Sequence, residues 1–337
     1  MGHVLLISPE TFDYHLRIQD ALREVGLQVT WSSDRLNNST SYIVLIRYMP
    51  MLANFLFSNI FIKKLEQLDL KEITHVLVIK GEGISSQVMA KLHKILPGAS
   101  FGYYLWDGIS NVRNAKSIIS KFHSVSTFDP VDAVKHRWHY RPLFGRDIVK
   151  NNFSVAKLFD WCFIGTIHSD RYKVINSLKK NNHTFKYFFY PYIQTRLVLI
   201  IRRILDLLLS FQPKNIYFTT PLTSKEIDKI ISQSKAVLDI EHPNQNGYTM
   251  RSIEVLISGN KLITTNRSIL ESDLYHPSRV MILDRLNPIL NSEFLKEKFK
   301  PIENSTYRYY TCVFWVKELL SLQDRAYLKL KSSEENI

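Results

Sequence analysis

Arg251 and Glu254 stand three residues apart in a segment suited to a charged, hydroxylated ligand. It reads AVLDIEHPNQNGYTMRSIEVLISGNKLITTN over residues 236–266. An apolar strand, Ala236–Ile240, runs into a polar loop that contains Gly247. A helix opens near Tyr248–Thr249, carries Glu254 in its second turn and stops at Gly259; a second strand, Lys261–Thr265, follows. A turn of this kind presents backbone N–H groups and the positive end of a helix. A phosphate sits well there. Arg251, in the first helical turn, adds a cation. A carboxylate one turn further in accepts hydrogen bonds from ribose hydroxyls. His242, just ahead of the loop, is a further contact for a phosphate or a sugar, or a loop histidine with no special task. The pattern fits a nucleotide diphosphate held without a cage of metal ligands, although strand–glycine–helix turns also recur in α/β proteins of every kind.

The stretch NGYTMRSIEVLISGNKLITTN resembles the donor-site segment of GT-B glycosyltransferases, in particular the CgeB-like, spore-maturation-type branch. The matching positions are Gly247, Thr249, Arg251, Glu254, Val255–Leu256, Gly259 and Leu262–Ile263. The resemblance implies that Gly247, Tyr248, Thr249 and Arg251 face the donor diphosphate and that Glu254 binds the ribose. Where larger GT-B families carry another acid eight residues earlier, this chain has Asn246. FIGTIHSDR, residues 163–171, is similar to the strand–Gly–Arg opening of the same family. There Gly165 permits close backbone approach and Arg171 reaches a phosphate. The plain alternative is a helix start with Asp170 at its cap and Arg171 in solvent.

The fold so implied is α/β, with two Rossmann-like domains (GT-B), a cleft between them and a C-terminal helix packing back. The implied activity moves a sugar from a nucleotide-diphosphate-sugar donor to a hydroxyl of a glycan or lipid-linked glycan acceptor, with no metal and no cofactor. Surface polysaccharide assembly (capsule, lipopolysaccharide or exopolysaccharide) is the expected setting. Two alternatives share these residues: a pyruvyl or glycerol-phosphate transferase of similar shape, and a non-catalytic basic binding module.

Ligands of open parallel sheets bind beyond the carboxyl ends of the strands. Two acids stand there in the first half. Glu82 follows the strand His75–Lys80 in IKGEG, and Asp107 follows the strand Ser100–Tyr104 in YYLWDG. Either suits a general base, and either is also ordinary turn chemistry. Asp129, before Pro130, suits a helix cap. No DxD motif and no metal-ligand spacing of Cys and His occurs.

The elements that would position these residues alternate along the chain. Strands are expected at Val4–Ser8, Leu27–Trp31, His75–Lys80, Ser100–Tyr104 and Ser124–Phe128, with a helix from about Thr11 to Val25 ended by Gly26. The second half repeats this at Asp160–Gly165, Thr184–Phe189, Ala236–Ile240, Lys261–Thr265 and Val280–Asp284. Thr223 or Ser224 suits an N-cap. Continuous apolar strands between helices imply parallel sheets covered on both faces. The first strand–helix turn, SPETFDYH, lacks the Gly-x-Gly-x-x-Gly fingerprint, which argues against a dinucleotide-dependent dehydrogenase. The expected domains are residues 1–147, residues 148–306 and a terminal helix within 307–330, Tyr307–Leu330, with the boundary in the weakly periodic stretch 141–157.

Composition sets the outer limits. The chain has 337 residues, enough for two α/β domains, and 45% of them are hydrophobic. Its two cysteines, Cys162 and Cys312, lie in apolar contexts and are expected to stay reduced. The net charge of +13 is spread, at +5 (18 basic, 13 acidic) up to residue 150 and +8 (26 basic, 18 acidic) beyond it. No zinc-finger, RGG or helix-turn-helix pattern accompanies it, so nucleic acid is not expected as a partner. No secretory signal and no membrane-spanning run is expected. Tyr42–Ile62 and Thr195–Phe211 are apolar with interspersed arginines. Each reads as a buried helix with a basic outer edge or as an interfacial helix. The expected location is the cytoplasm, with peripheral contact to the anionic inner face of the plasma membrane.

Overall fold

Largely apolar runs make the central strands, as a parallel sheet buried on both faces requires. In the computed structural model, which describes residues 2–11, 13–146, 156–167, 169–193, 200, 204, 217–243 and 245–334, they assemble into two sheets. β1 (His3–Ser8), β2 (Gln28–Ser33), β3 (Ile73–Ile79), β4 (Ser100–Leu105), β5 (Ser124–Thr127) and β6 (His139–Tyr140) lie in the order β2-β1-β3-β4-β5-β6. β7 (Phe159–Thr166), β8 (Tyr187–Tyr192), β9 (Ser234–Asp239), β10 (Lys261–Thr264) and β11 (Val280–Ile282) lie in the order β11-β10-β9-β7-β8. Every pairing between these strands is parallel. Two compact units result: Met1–Phe144 with Gln245–Gly247 and Arg308–Ile337, and Gly145–Asn244 with Tyr248–Tyr307.

In the first unit, β1 is buried along its whole length and pairs Leu5 with Thr30 on one side and Val76 on the other. The C-terminal helix Cys312–Glu334 packs on the helix Tyr14–Glu24 and on β4 and β5. Two buried polar side chains attach it to the sheet. Gln323 donates from Nε2 to the carbonyls of Val76 (3.2 Å) and Ser100 (2.6 Å). Arg141, with no exposed surface, lies 2.8 Å from Glu318 Oε2, stacks over the Tyr309 ring and donates to the Tyr309 carbonyl. The terminal helix expected at Tyr307–Leu330 is in fact two, Asn304–Tyr309 and Cys312–Glu334. Thr311 starts the second: its Oγ1 accepts from the Phe314 N–H and donates to the Arg308 carbonyl.

The apolar segment Tyr42–Ile62 is likewise two helices, Thr40–Tyr48 and Pro50–Glu66, with Pro50 opening the second. Thr195–Phe211 lies outside the described residues, apart from Ile200 and Ile204, both exposed. So does most of the stretch 141–157.

In the second unit, the strand expected at Thr184–Phe189 lies three residues later. Asn182 holds the preceding turn, donating to the carbonyls of Leu178 (2.7 Å) and Pro288 (3.1 Å) and accepting from the Leu290 N–H (2.8 Å). The strand then runs through Pro191, which an edge strand such as β8 tolerates. Thr223 caps the helix Ser224–Ser232 with a reciprocal bond to Glu226. Gly259, at φ +78, ends the helix Met250–Ile257 in the left-handed conformation that favours glycine.

Glu318→Ala strips a fully buried guanidinium of its carboxylate. The expected loss of stability is about 3 kcal/mol, the lower end for breaking a buried pair, measured as a fall in the urea midpoint. A midpoint within error of the parent's would mean that the pair does not fasten the C-terminal helix.

Candidate functional site

The order β11-β10-β9-β7-β8 reverses direction between β7 and β9, and crevices for ligands open at such a switch, beyond the carboxyl strand ends. Arg171 occupies that point. Its Nη1 donates to the Thr166 carbonyl (2.9 Å) and its Nε to the Ile240 carbonyl (2.5 Å), which ties the ends of the two strands together. A Cβ at Gly165 would lie 3.8 Å from Arg171 Nη1, an ordinary contact, but 3.2 Å from the Phe163 ring, so the glycine accommodates Phe163 rather than the arginine. Arg171 is thus neither in solvent nor presented whole to a ligand; at least two of its N–H groups belong to the backbone.

Arg285 performs a related task one strand over. It lies 3.0 Å from Asp170 Oδ2 and 2.9 Å from Glu241 Oε1, and it donates to the Glu241 carbonyl (2.6 Å). Thr265, just past β10, donates to the same Glu241 carboxylate. The carboxyl ends of β7, β9 and β10 therefore share one polar network. Asp170 serves it rather than a cap, because no side-chain cap bond forms at the start of the helix Arg171–Asn181. His242, next to Glu241, is half-buried.

Asp239, the last residue of β9, anchors the next helix. It accepts from Thr249 Oγ1 and from Ser252 Oγ (2.7 Å), and Thr249 Oγ1 in turn accepts from the Ser252 N–H (3.2 Å). This fixes the first turn of Met250–Ile257 against the strand end. From that helix Arg251 Nη1 stands 3.7 Å from Glu254 Oε2, and Arg146 Nε stands 4.0 Å from Glu254 Oε1. Glu254 is buried between the two arginines, and Arg146 also pairs with Asp228. Sequence inspection missed Arg146, because it lies far from the segment, in a stretch without periodicity. It passed over Asp239 as one more residue of an apolar strand.

The loop tip departs from expectation. Gly247 does not stand open to a diphosphate: it is buried, and a Cβ there would lie 2.6 Å from both the Phe128 ring and the Phe128 carbonyl. The Asn246 N–H donates to Asp129 Oδ2 (3.3 Å), while Asp129 Oδ1 caps the helix Pro130–His136. Tyr248 is buried as well. Of the expected donor contacts, the structure groups Thr249, Arg251 and Glu254 at one helix and buries Gly247 and Tyr248. The cation–carboxylate set on a helix start is suited to an anion beside vicinal hydroxyls.

The first unit carries a second cluster, where β1 and β3 adjoin. Lys80 follows β3 in a left-handed conformation (φ +63), which strains a side-chain-bearing residue. Its Nζ lies 2.7 Å from Asp107 Oδ2 and 3.5 Å from Glu82 Oε1. Glu82 also pairs with Arg35 and, at 3.0 Å, with Arg47. Burial alone would raise the Glu82 carboxyl, but Lys80, Arg35 and Arg47 together hold it below its usual range. Caged by three cations, it is a poor proton acceptor. Asp107, a third exposed and held from one side, is the better placed of the two acids. Beneath them lies Asp34, fully buried; its Oδ2 accepts from the Glu82 N–H (3.0 Å) and its Oδ1 has no hydrogen-bond partner. Burial pushes its carboxyl up to about 6, against the pull of Arg35 and Lys80. The sequence shows only an Asp-Arg pair after a strand. No group of three or more His, Cys, Asp or Glu side chains among the described residues is arranged to hold a metal ion.

Two parallel, helix-covered sheets of six and five strands are the two-domain α/β fold of the GT-B class. The chain is similar over nearly its whole length to AviGT4, a glycosyltransferase involved in avilamycin A biosynthesis (12% identity, 97% of this chain and 98% of that one, TM-score 0.55). It is similar in the same way to a glycosyltransferase from Rickettsia africae (10% identity, 96% and 98%, TM-score 0.53). Anabaena HepE, solved in complex with UDP and glucose, is a third (8% identity, 98% and 100%, TM-score 0.52). At these identities the likeness is one of fold. No family model matches the chain, and no curated protein matches it by sequence.

Asp34 makes a signed prediction. Its carboxyl titrates at about 6 in the folded chain against 3.8 ordinarily, so the fold keeps a proton that the unfolded chain has lost. Its contribution is full below the ordinary value and fades as pH rises through the folded one. The expected decline is about 3 kcal/mol between roughly pH 4 and pH 7. Asp34→Asn should remove it, so the difference between parent and variant unfolding free energies should slope over that window. A flat difference would show Asp34 to be ionised in the fold.

Proposed function

We propose that this chain is a glycosyltransferase of the CgeB-like branch, moving a sugar from a nucleotide-diphosphate donor to an acceptor hydroxyl in surface polysaccharide assembly. One observation carries the reading: the helix Met250–Ile257, pinned to the end of β9 through Asp239, bears Arg251 and buries Glu254 between Arg251 and Arg146. A diphosphate takes the helix start and the guanidinium of Arg251. Glu254 accepts from the ribose hydroxyls, flanked by Arg251 and Arg146. HepE, of the same fold and solved with UDP and glucose, lends the donor class its support.

In this reading the second unit takes the donor and the first the acceptor, with Asp107 as the base. The acceptor oxygen bonds to the anomeric carbon as the bond from that carbon to the diphosphate breaks. The electron pair leaves with the diphosphate, and the hydroxyl proton passes to Asp107. Helix dipole and cations stabilise the departing charge without a resident metal. The work belongs to the cytoplasm, where Cys162 and Cys312 stay reduced.

Nucleoside diphosphates supplied at a hundred times Kd should stabilise the protein by about 2.7 kcal/mol, read as a thermal shift. Arg251→Ala and Glu254→Gln should each weaken that binding by about tenfold or more, about 1.4 kcal/mol, with little change in the unliganded melting temperature for Arg251→Ala. Binding of UDP, GDP and CDP by both variants at parental strength would end the donor assignment.

Asp107→Asn should leave nucleotide binding intact and lower turnover by about a hundredfold or more. Unchanged turnover would move the proton to another acceptor.

A further inference from the structure

The helix Pro50–Glu66 keeps an apolar face outside. Met51 is 86% exposed and Phe55 83%, and Leu52, Leu56 and Ile60 are each between 41% and 52% exposed. Positions 51, 52, 55, 56 and 60 recur at helical spacing and so share one face. The opposite face, Ala53, Ser58, Phe61 and Leu65, is buried against the unit. From Met51 to Ile60 the outer edge is thus mainly apolar rather than basic, with Asn59 within it and Lys63 and Glu66 exposed beyond it. Isolated exposed apolar residues are ordinary, but a continuous stripe on a charged protein marks a surface with a partner.

The charges around the stripe identify the partner. From Arg35 to Leu65 the chain has Arg35, Arg47, Lys63 and Lys64 and no acid, and Glu66, which ends the helix, pairs with Lys91 (2.7 Å). Arg47 is about half exposed, Lys63 is exposed, and the exposed Arg113 sits 5.3 Å over the ring of Tyr48, itself 66% exposed. A second copy on a two-fold axis would set these cations against themselves. A bilayer containing anionic lipid accepts the apolar side chains at the acyl boundary and the cations at the head groups. Neither helix can cross it, since no helix among the described residues is long and apolar enough.

We propose that this face of the first unit docks on an anionic membrane surface. Docking stands independently of the donor reading. Its purpose, however, rests on that reading. Arg47 belongs both to the docking helices and to the cage of Glu82, which lies 3.0 Å away. In that reading, docking brings the carboxyl edge of the first sheet towards acceptors carried on a lipid.

The test is co-sedimentation of the full chain with phosphatidylcholine vesicles, with and without phosphatidylglycerol. The parent should sediment with the anionic vesicles and be released by raised salt. The double variant Met51→Ser/Phe55→Ser should bind about tenfold more weakly or worse, in line with the area withdrawn from the bilayer. Lys63→Glu should weaken binding to the anionic vesicles and lower its dependence on salt. Because these side chains are exposed, melting temperature and nucleotide binding should not move in any of the variants. A parent that ignores both vesicle types, or a double variant that sediments like the parent, overturns the proposal. So does a concentration-dependent dimer that the double variant loses, which would give the face to a second copy. Loss of nucleotide binding with docking intact would instead count against the donor reading alone.

Discussion

The guanidinium of Arg171, shared between the carbonyls of Thr166 and Ile240, is the constraint on which the candidate site rests. Parallel strands all end with carbonyls facing the same way, and at a switch point no crossover helix covers them. Those acceptors must be satisfied or hydrated. A rigid, planar cation with several donors satisfies two strands at once, as a lysine or a water could not do with the same geometry. Arg285 and Glu241 extend the arrangement to β10, and Asp239 extends it to the first turn of the helix Met250–Ile257. The helix start is therefore held in place by the strand ends themselves, not by its loop. That preorganisation is what an anion-binding helix needs, because a mobile first turn would have to be ordered again each time a ligand arrived.

The first unit solves the same edge with acids. Asp34 accepts from the Glu82 N–H, its own carbonyl takes the Gly83 N–H, and Glu82 gathers Lys80, Arg35 and Arg47. A carboxylate in that position is expensive to bury unless cations surround it. With three cations supplied, Glu82 stays ionised, and the burden of desolvation falls on Asp34, which responds by taking up a proton more readily. Two acids one bond apart in the same network thus have opposite tendencies, and neither follows from its residue type. The strained backbone of Lys80 belongs to the same account: a left-handed turn directs its ammonium to Asp107 and Glu82 together.

Element type and order were legible because burial on both faces leaves a plain mark: HVLLIS, HVLVI and SFGYYL are runs that only a covered strand tolerates. Caps were legible too, at Asp129, Thr223 and Gly259, where one residue's chemistry decides. What stayed hidden was everything set by distance. The partners of Glu254 include Arg146, more than a hundred residues away. Arg171 matched a motif, but its commitment to two carbonyls depends on which strand lies beside β7, and register between distant strands is not written locally. Gly247 shows the limit of motif reading most clearly. A glycine in a polar loop signals close approach of something; that Phe128 packs against it follows only from the folded chain.

Periodicity has the same blind spot at the surface. Tyr42–Ile62 is apolar nearly all round, and a pattern of apolar residues states that a face wants cover without saying what covers it. The structure splits the stretch at Pro50, buries Tyr42, Ile46, Ala53 and Phe61, and leaves Met51 and Phe55 outside. The missing signal was in the charges: an acid-free run with cations at both ends is a poor recipe for a core helix in a water-soluble sheet protein, whose outer face ordinarily carries both signs. Hydropathy and charge pattern, taken together over the same thirty residues, separate the two cases that either alone leaves open.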